Sequence, residues 1–166
     1  VFQASRTSDG VILKYRDLDG TNEWTNQISE DHFYYHLKNE QLLNLPNDKE
    51  YDIALGKYTD YITVDDISQD YTIYGAIVGN ASAYLLDDDF ETIEANDFDE
   101  NQLSNRKDII GWDWKRFNLE KNAYEILPKM TYMISTNSDY LCKLRFVDYL
   151  NDQGISGHPT FEYEIL

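Results

Sequence analysis

Three histidines, two methionines and one cysteine are the nitrogen and sulfur donors that this chain offers to a metal or a reaction. His32 and His36 are four residues apart, a spacing that chelates one ion only on a helix. Their segment, HFYYHL, is aromatic-rich and reads as a strand, where positions four apart lie roughly 13 Å from each other. Sheet-face histidines are therefore expected, not a metal pair. Cys142 alternates with Leu144 and Phe146, which makes it a small buried hydrophobe without a disulfide partner. Asp97, Asp99, Asn101 and Asp108 fall at offsets 1, 3, 5 and 12, as in a calcium loop. Gln102 stands where such a loop needs glycine, and an aspartate stands where it closes on glutamate. The plainer reading of residues 87–108 is a flexible acidic loop; the sharper one is a calcium-dependent adhesion or glycan-binding module. No G-x-S-x-G and no glycine-rich phosphate loop occurs. Carboxylates abound, and no two are singled out as a glycosidase pair. A binding module is expected rather than an enzyme.

The elements that must position these residues are strands. In the last stretch, YLCKLRFVDYLNDQGISGHPTFEYEIL, Tyr140, Cys142, Leu144 and Phe146 share one side of an extended chain, and Lys143 and Arg145 the other. Phe161, Tyr163 and Ile165 alternate again after a link rich in Asn, Asp and Gly, so the stretch reads as a hairpin. Lys143 and Arg145 are placed to face Glu162 or Glu164 across it. His158 falls in the Gly157–Pro159 turn, as a solvent-exposed loop residue. Upstream, YDIAL (51–55) closed by Gly56, the run 58–64, YTIYGAIV (71–78), 81–86, 123–127 and MTYMIST (130–136) read as further short strands. Gly75 marks a bulge or a close backbone approach. Trp112 and Trp114 share a face if their segment is extended. Residues 1–30 are strands or a wrapped arm, with Trp24 and Ile28 docking them, a turn at 18–21 and a short helix over 23–31 as an alternative. Many short strands without a long helix predict an all-β chain of two twisted antiparallel sheets, sandwich-like, with at most short helices.

The 166 residues are expected to form one domain, and 42% hydrophobic content supplies an ordinary core. Fourteen tyrosines suit strands that pack a ring and keep a wet hydroxyl. A formal charge of −17 repels nucleic acid and anionic lipid, so neither is an expected partner. No stretch is long and apolar enough to span a membrane as a helix. The chain begins at Val1, and a targeting segment or lipid anchor is expected to have been removed with what preceded it.

Three stretches resemble the HmuY-like family, outer-membrane-associated haem-binding lipoproteins of Gram-negative bacteria that work with a TonB-dependent receptor. The first is YDIALGKYTDYITV (51–64) leading to Gly75-Ala76, with Tyr51 where the family usually has Trp. The second is Gly111-Trp112 followed by Tyr124 and PKMTYMIST (128–136). The third is the closing K-L-R-F-V-D-Y, glycine link and F-E-Y. They cover roughly the last two-thirds of the chain and are distinctive as a set. The resemblance implies an all-β two-sheet fold, a lipid-anchored protein at the outer-membrane surface or a secreted one, and haem or iron uptake beside a TonB-dependent receptor. The alternative is a structural or accessory subunit of an outer-membrane complex that does not bind haem.

Members of the family ligate haem iron with two histidines or, in some branches, two methionines. By spacing, one ligand position falls near Phe117, which cannot ligate iron. The other falls in the acidic stretch, which has neither His nor Met. The remaining candidate donors are Met130, Met133, His36 and His158. Met130 and Met133 are three apart on a strand and face opposite ways, one of them toward the core. Trp112, Trp114 and Tyr124 are candidates to line a haem slot, and Arg106, Lys107, Lys115 and Arg116 to meet its propionates.

Overall fold

The computed structural model describes residues 2–7, 10–16, 23–28, 33–43, 50–64, 66–137 and 139–166. In the first three strands, and at Phe33, Leu42, Ile62 and Val64, it describes the backbone alone. The strands are β1 Phe2–Thr7, β2 Gly10–Arg16, β3 Glu23–Ile28, β4 Phe33–His36, β5 Gln41–Leu43, β6 Ile53–Val64 and β7 Ile67–Val78. Then follow β8 Ala81–Asp87, β9 Lys115–Asn118, β10 Ala123–Ile126, β11 Met130–Thr136, β12 Leu141–Leu150 and β13 Ser156–Ile165. A seven-stranded sheet runs β3-β2-β1-β13-β12-β11-β8, a four-stranded sheet β5-β4-β6-β7, and β10-β9 form a separate hairpin. Every pairing between these strands is antiparallel.

The two larger sheets pack face to face. Tyr35, Ile53, Leu55 and Val78 from the four-stranded sheet meet Tyr132, Ile134, Leu144, Phe146, Phe161 and Tyr163 from the seven-stranded one in a single cluster. Leu144 and Phe161 are wholly buried, and Phe146 stacks on Trp114 with ring centres 3.8 Å apart. The Tyr163 hydroxyl crosses the interface to donate to the Leu37 carbonyl at 3.0 Å. The closing hairpin has the expected register, with Lys143 opposite Glu164 and Arg145 opposite Glu162.

Four expectations change. Residues 23–28 are strand β3, not a helix, and β1 to β3 extend the larger sheet; the side chains of Trp24 and Ile28, the turn at 18–21 and His32 lie outside the described residues. Gly56 does not end a strand: β6 runs through it as twelve residues, paired throughout with β7. Residues 87–108 are not a loose loop. They form three short 3-10 turns at Phe90–Thr92, Ala95–Asp97 and Glu100–Gln102 that cover the outer face of the seven-stranded sheet. Ile93, Phe98 and Leu103 pack there on Tyr84 and Met133, so that sheet is buried on both faces near β8, β11 and β12. Finally, β13 begins at Ser156, so His158 and Pro159 are buried strand residues and not an exposed turn. Two register shifts in β12, around Asp148, accompany this longer pairing.

Candidate functional site

The segment 108–114 is where the two large sheets and the β9–β10 hairpin come together. Gly111 is pinned to β7 by reciprocal backbone bonds with Ala76, 2.8 and 3.0 Å long. The approach is close enough that a Cβ on Gly75 would stand 2.5 Å from the Gly111 carbonyl oxygen, which is why glycine is required there. Gly111 has φ of +67° and turns the chain so that Trp112 and Trp114 part company. Trp112 is half-buried and its Nε1 donates to Asp60 at 2.9 Å. Trp114 is wholly buried, its Nε1 donating to the Gly111 carbonyl. Tyr124 packs edge-on against Phe117 and Tyr149. Trp114 also meets Tyr149 edge-on, so Trp114 and Tyr124 share that ring as a partner, whereas Trp112 is held apart on Asp60.

The cations expected to meet propionates are engaged as well. Lys115 is buried, donates to the carbonyls of Tyr74 and Trp112 at 2.7 and 3.1 Å, and lies over the rings of Trp114 and Tyr149. Burial pulls its pKa down to about 8, with Asp113 opposing. Arg106 forks onto Asp108, Arg116 lies 3.7 Å from Glu125, and Lys107 reaches the ring of Tyr51.

A pocket of about 310 Å³ opens elsewhere, where the end of β10 meets the starts of β11 and the 3-10 layer. Ile126, Met130, Phe146 and Phe90 supply apolar walls, and Lys129 and Arg145 are also in its lining. Lys129 is 3.5 Å from Asp89. Arg145 lies over the Phe90 ring, binds Glu91 at 2.6 Å and pairs with Glu162. Its hydrogen bond holds the Glu91 carboxyl below its usual pKa. No local pattern announces this pocket, because it is assembled from three distant segments.

The four candidate iron donors do not gather. Met130 lines the pocket and touches the main core, whereas Met133, wholly buried on the opposite face of β11, packs with Tyr84 and Ile93 in the outer layer. Each methionine thus has a core of its own; the expectation that just one faces a core is corrected. His36 stands in the four-stranded sheet with Nδ1 3.2 Å from Asp52 Oδ2, off the line a hydrogen bond needs. That carboxylate oxygen accepts the Leu37 amide at 2.8 Å, and burial pushes the Asp52 pKa up. His158 is buried in β13. A haem held by two side chains needs donors facing each other across its plane. The Met130 pocket has no second His, Met, Cys or Tyr in its lining. The described residues do not fit a two-ligand haem site. The calcium-like carboxylates turn inward on their own backbone: Asp97 accepts the Glu94 amide, and Asp99 accepts the Asn101 amide and both neighbouring side-chain amides.

No protein-family model matches the chain. No curated protein matches it either. Among solved structures, apo PinO from Porphyromonas gingivitis superposes with a TM-score of 0.51 at 13% identity, over 100% of this chain and 97% of that one. The apo HmuY analog of Tannerella forsythia superposes with a TM-score of 0.47 at 16% identity, over 99% and 96% of the two chains. The chain therefore shares the fold of PinO, in keeping with the HmuY-like resemblance of its sequence.

Proposed function

We propose that the chain is a non-enzymatic, lipid-anchored protein of the HmuY-like type at the outer-membrane surface, accessory to a TonB-dependent receptor in haem or iron uptake, and that it acts without a pair of side chains on haem iron. The observation that supports this reading is the likeness in fold to PinO, which spans 100% of this chain and 97% of that one. The donor geometry supports its second half: Met130, Met133, His36 and His158 sit in four different surroundings.

An accessory protein also needs a face for its partner. Beyond Gly56 and Gly75, β6 and β7 run on as a two-stranded ribbon with Tyr61 at 67%, Ile67 at 66% and Tyr71 at 40% exposure. The sequence between Tyr58 and Ile73 carries four aspartates and no Lys or Arg. A two-stranded ribbon is marginal in water by itself, and its charge suits a basic partner surface.

A second reading, haem capture through one ligand, is favoured by Met130 in the lining of a pocket that also holds Phe90, Ile126 and Phe146 beside Lys129 and Arg145. The accessory role is tested in the native host. The tagged precursor is expected to fractionate with outer membranes and to co-elute with a TonB-dependent receptor after mild detergent extraction. A soluble, periplasmic protein that elutes alone contradicts the reading.

A further inference from the structure

Strand β7 is the last strand of its sheet, and the direction of its backbone groups can be worked out residue by residue. Ala76 exchanges both backbone bonds with Gly111, and the Val78 amide donates to the Lys107 carbonyl. These partners lie on the side of β7 away from β6. Along a strand the backbone groups alternate between its two edges, so even-numbered residues of β7 turn theirs outward and odd-numbered ones turn theirs to β6. The Tyr74 carbonyl obeys this rule, being turned out to Lys115 Nζ at 2.7 Å. The β6–β7 register has no shift from Ile53↔Val78 to Val64↔Ile67, so the rule holds to the end of the ribbon.

Ser68, Asp70 and Thr72 therefore present their amides and carbonyls along an edge about 14 Å long. Among the described residues none of these backbone groups has a partner. Exposed edges are ordinarily blunted by Lys, Pro or a bulge. Between Ile67 and Ile73 there is none of the three. The other edge of the ribbon differs. Odd-numbered residues face outward there, and the Tyr61 amide is taken by Asp60 Oδ1 at 2.8 Å. The two faces of β7 differ as well. Ile67 and Tyr71 stand exposed on one, and Ser68, Asp70 and Thr72 on the other. Asp70 is opposite the exposed Tyr61 in the ladder.

We infer that the 68–72 edge of β7 takes an extended segment of a partner protein as an added strand, one in which apolar residues alternate with Lys or Arg. This rests on the reading of the ribbon as a partner face and names how that face is engaged. The backbone groups of Ser68, Asp70 and Thr72 form the new ladder, which gives affinity, and the flanking side chains choose the sequence. Apolar side chains of the added strand lie along Ile67 and Tyr71. Its basic side chains meet the Asp70 carboxylate and the Tyr61 ring. A second copy of this chain is disfavoured on that edge. It would set the four aspartates between Tyr58 and Ile73 against their own copies, with no Lys or Arg in the stretch to relieve them. An acidic strand would form the same backbone bonds against repulsion, so the side chains fix the sign of the partner.

The test is amide hydrogen exchange of the purified protein with and without a labelled peptide of alternating Lys and Val, beside a binding titration by fluorescence anisotropy in about 0.15 M salt. In the free protein the amides of Ser68, Asp70 and Thr72 are expected to exchange faster than those of Gln69 and Tyr71, which are bonded to β6. Saturating peptide is expected to slow the first three about tenfold or more. The fully N-methylated peptide keeps the charge, loses the strand donors and is expected to bind at least about tenfold more weakly. Thr72→Pro deletes an outward amide without touching the β6 ladder, and Asp70→Lys reverses the charge; each is expected to weaken binding about tenfold. Equal binding of the two peptides, no binding of either, or an unchanged affinity in Asp70→Lys overturns the inference. Edge amides already protected in the free protein overturn it too, since the chain itself or a second copy would then cover the edge. Should Thr72→Pro not fold, Asp70→Lys and the N-methylated peptide carry the comparison. A protein that refuses the peptide yet co-elutes with a receptor strikes strand addition alone. One that binds the peptide and elutes without a receptor strikes the receptor reading alone.

Discussion

Lys115 is a cation lodged among aromatic rings and held by two carbonyl oxygens. Its folded-state pKa is about 8, against an ordinary 10.5, so between those values the unfolded chain binds the proton more tightly. Stability therefore rises with pH through that window and is lost as pH falls toward 8. Tyrosines oppose this from about pH 10, because burial raises Tyr149 to about 12 and Tyr132 and Tyr35 further. Urea unfolding is expected to show a higher midpoint at about pH 9.5 than at about pH 7.5, and Lys115→Met is expected to flatten the rise. An equal slope in the variant would place the titration elsewhere. At this scale the sequence was informative about Cys142, which is buried as its alternation predicts. It was misleading about His158. A Gly-His-Pro run reads as a turn because proline removes a ladder donor, and β12 accommodates it with irregular pairing that no local pattern announces.

Among the elements, β12 and β13 were legible because period two survives wherever one face of a strand is buried. Lys143 shows where that logic runs out. Alternation puts it on the wet face, yet it is 4% exposed, donating to the Ile93 carbonyl at 2.8 Å beneath the 3-10 layer. That layer was hidden by composition: capping aspartates and short turns look like a solvated acidic loop until Phe90 and Ile93 are seen to dock. Phe90→Ala is expected to cost about 3 kcal/mol by opening this layer over Lys143 and Arg145. Ile67→Ser and Tyr61→Ser on the ribbon are expected to change stability by less than about 0.5 kcal/mol. Chemical denaturation of the three variants checks both statements, and a costly Ile67→Ser would mean that the ribbon face is covered within the chain.

For the whole molecule, the all-β two-sheet architecture followed from many short strands and no long helix, and the fold of PinO matches it from end to end. Strand order could not be read in the same way: β1 joins β13 across almost the entire sequence, and such long-range pairing leaves no local trace. The iron donors were equally illegible, since Met130 and Met133 are close in sequence but lie in separate cores on the two faces of β11. No helix among the described residues is long and apolar enough to cross a membrane.

The central claim is a HmuY-like fold that does not clamp haem iron between two of its side chains. Haemin titration of the purified protein, followed at the Soret band in the ferric and ferrous states, tests it most directly. The account predicts no saturable shift at micromolar haemin. A saturable shift that disappears on substituting two of Met130, Met133, His36 and His158 singly would contradict it.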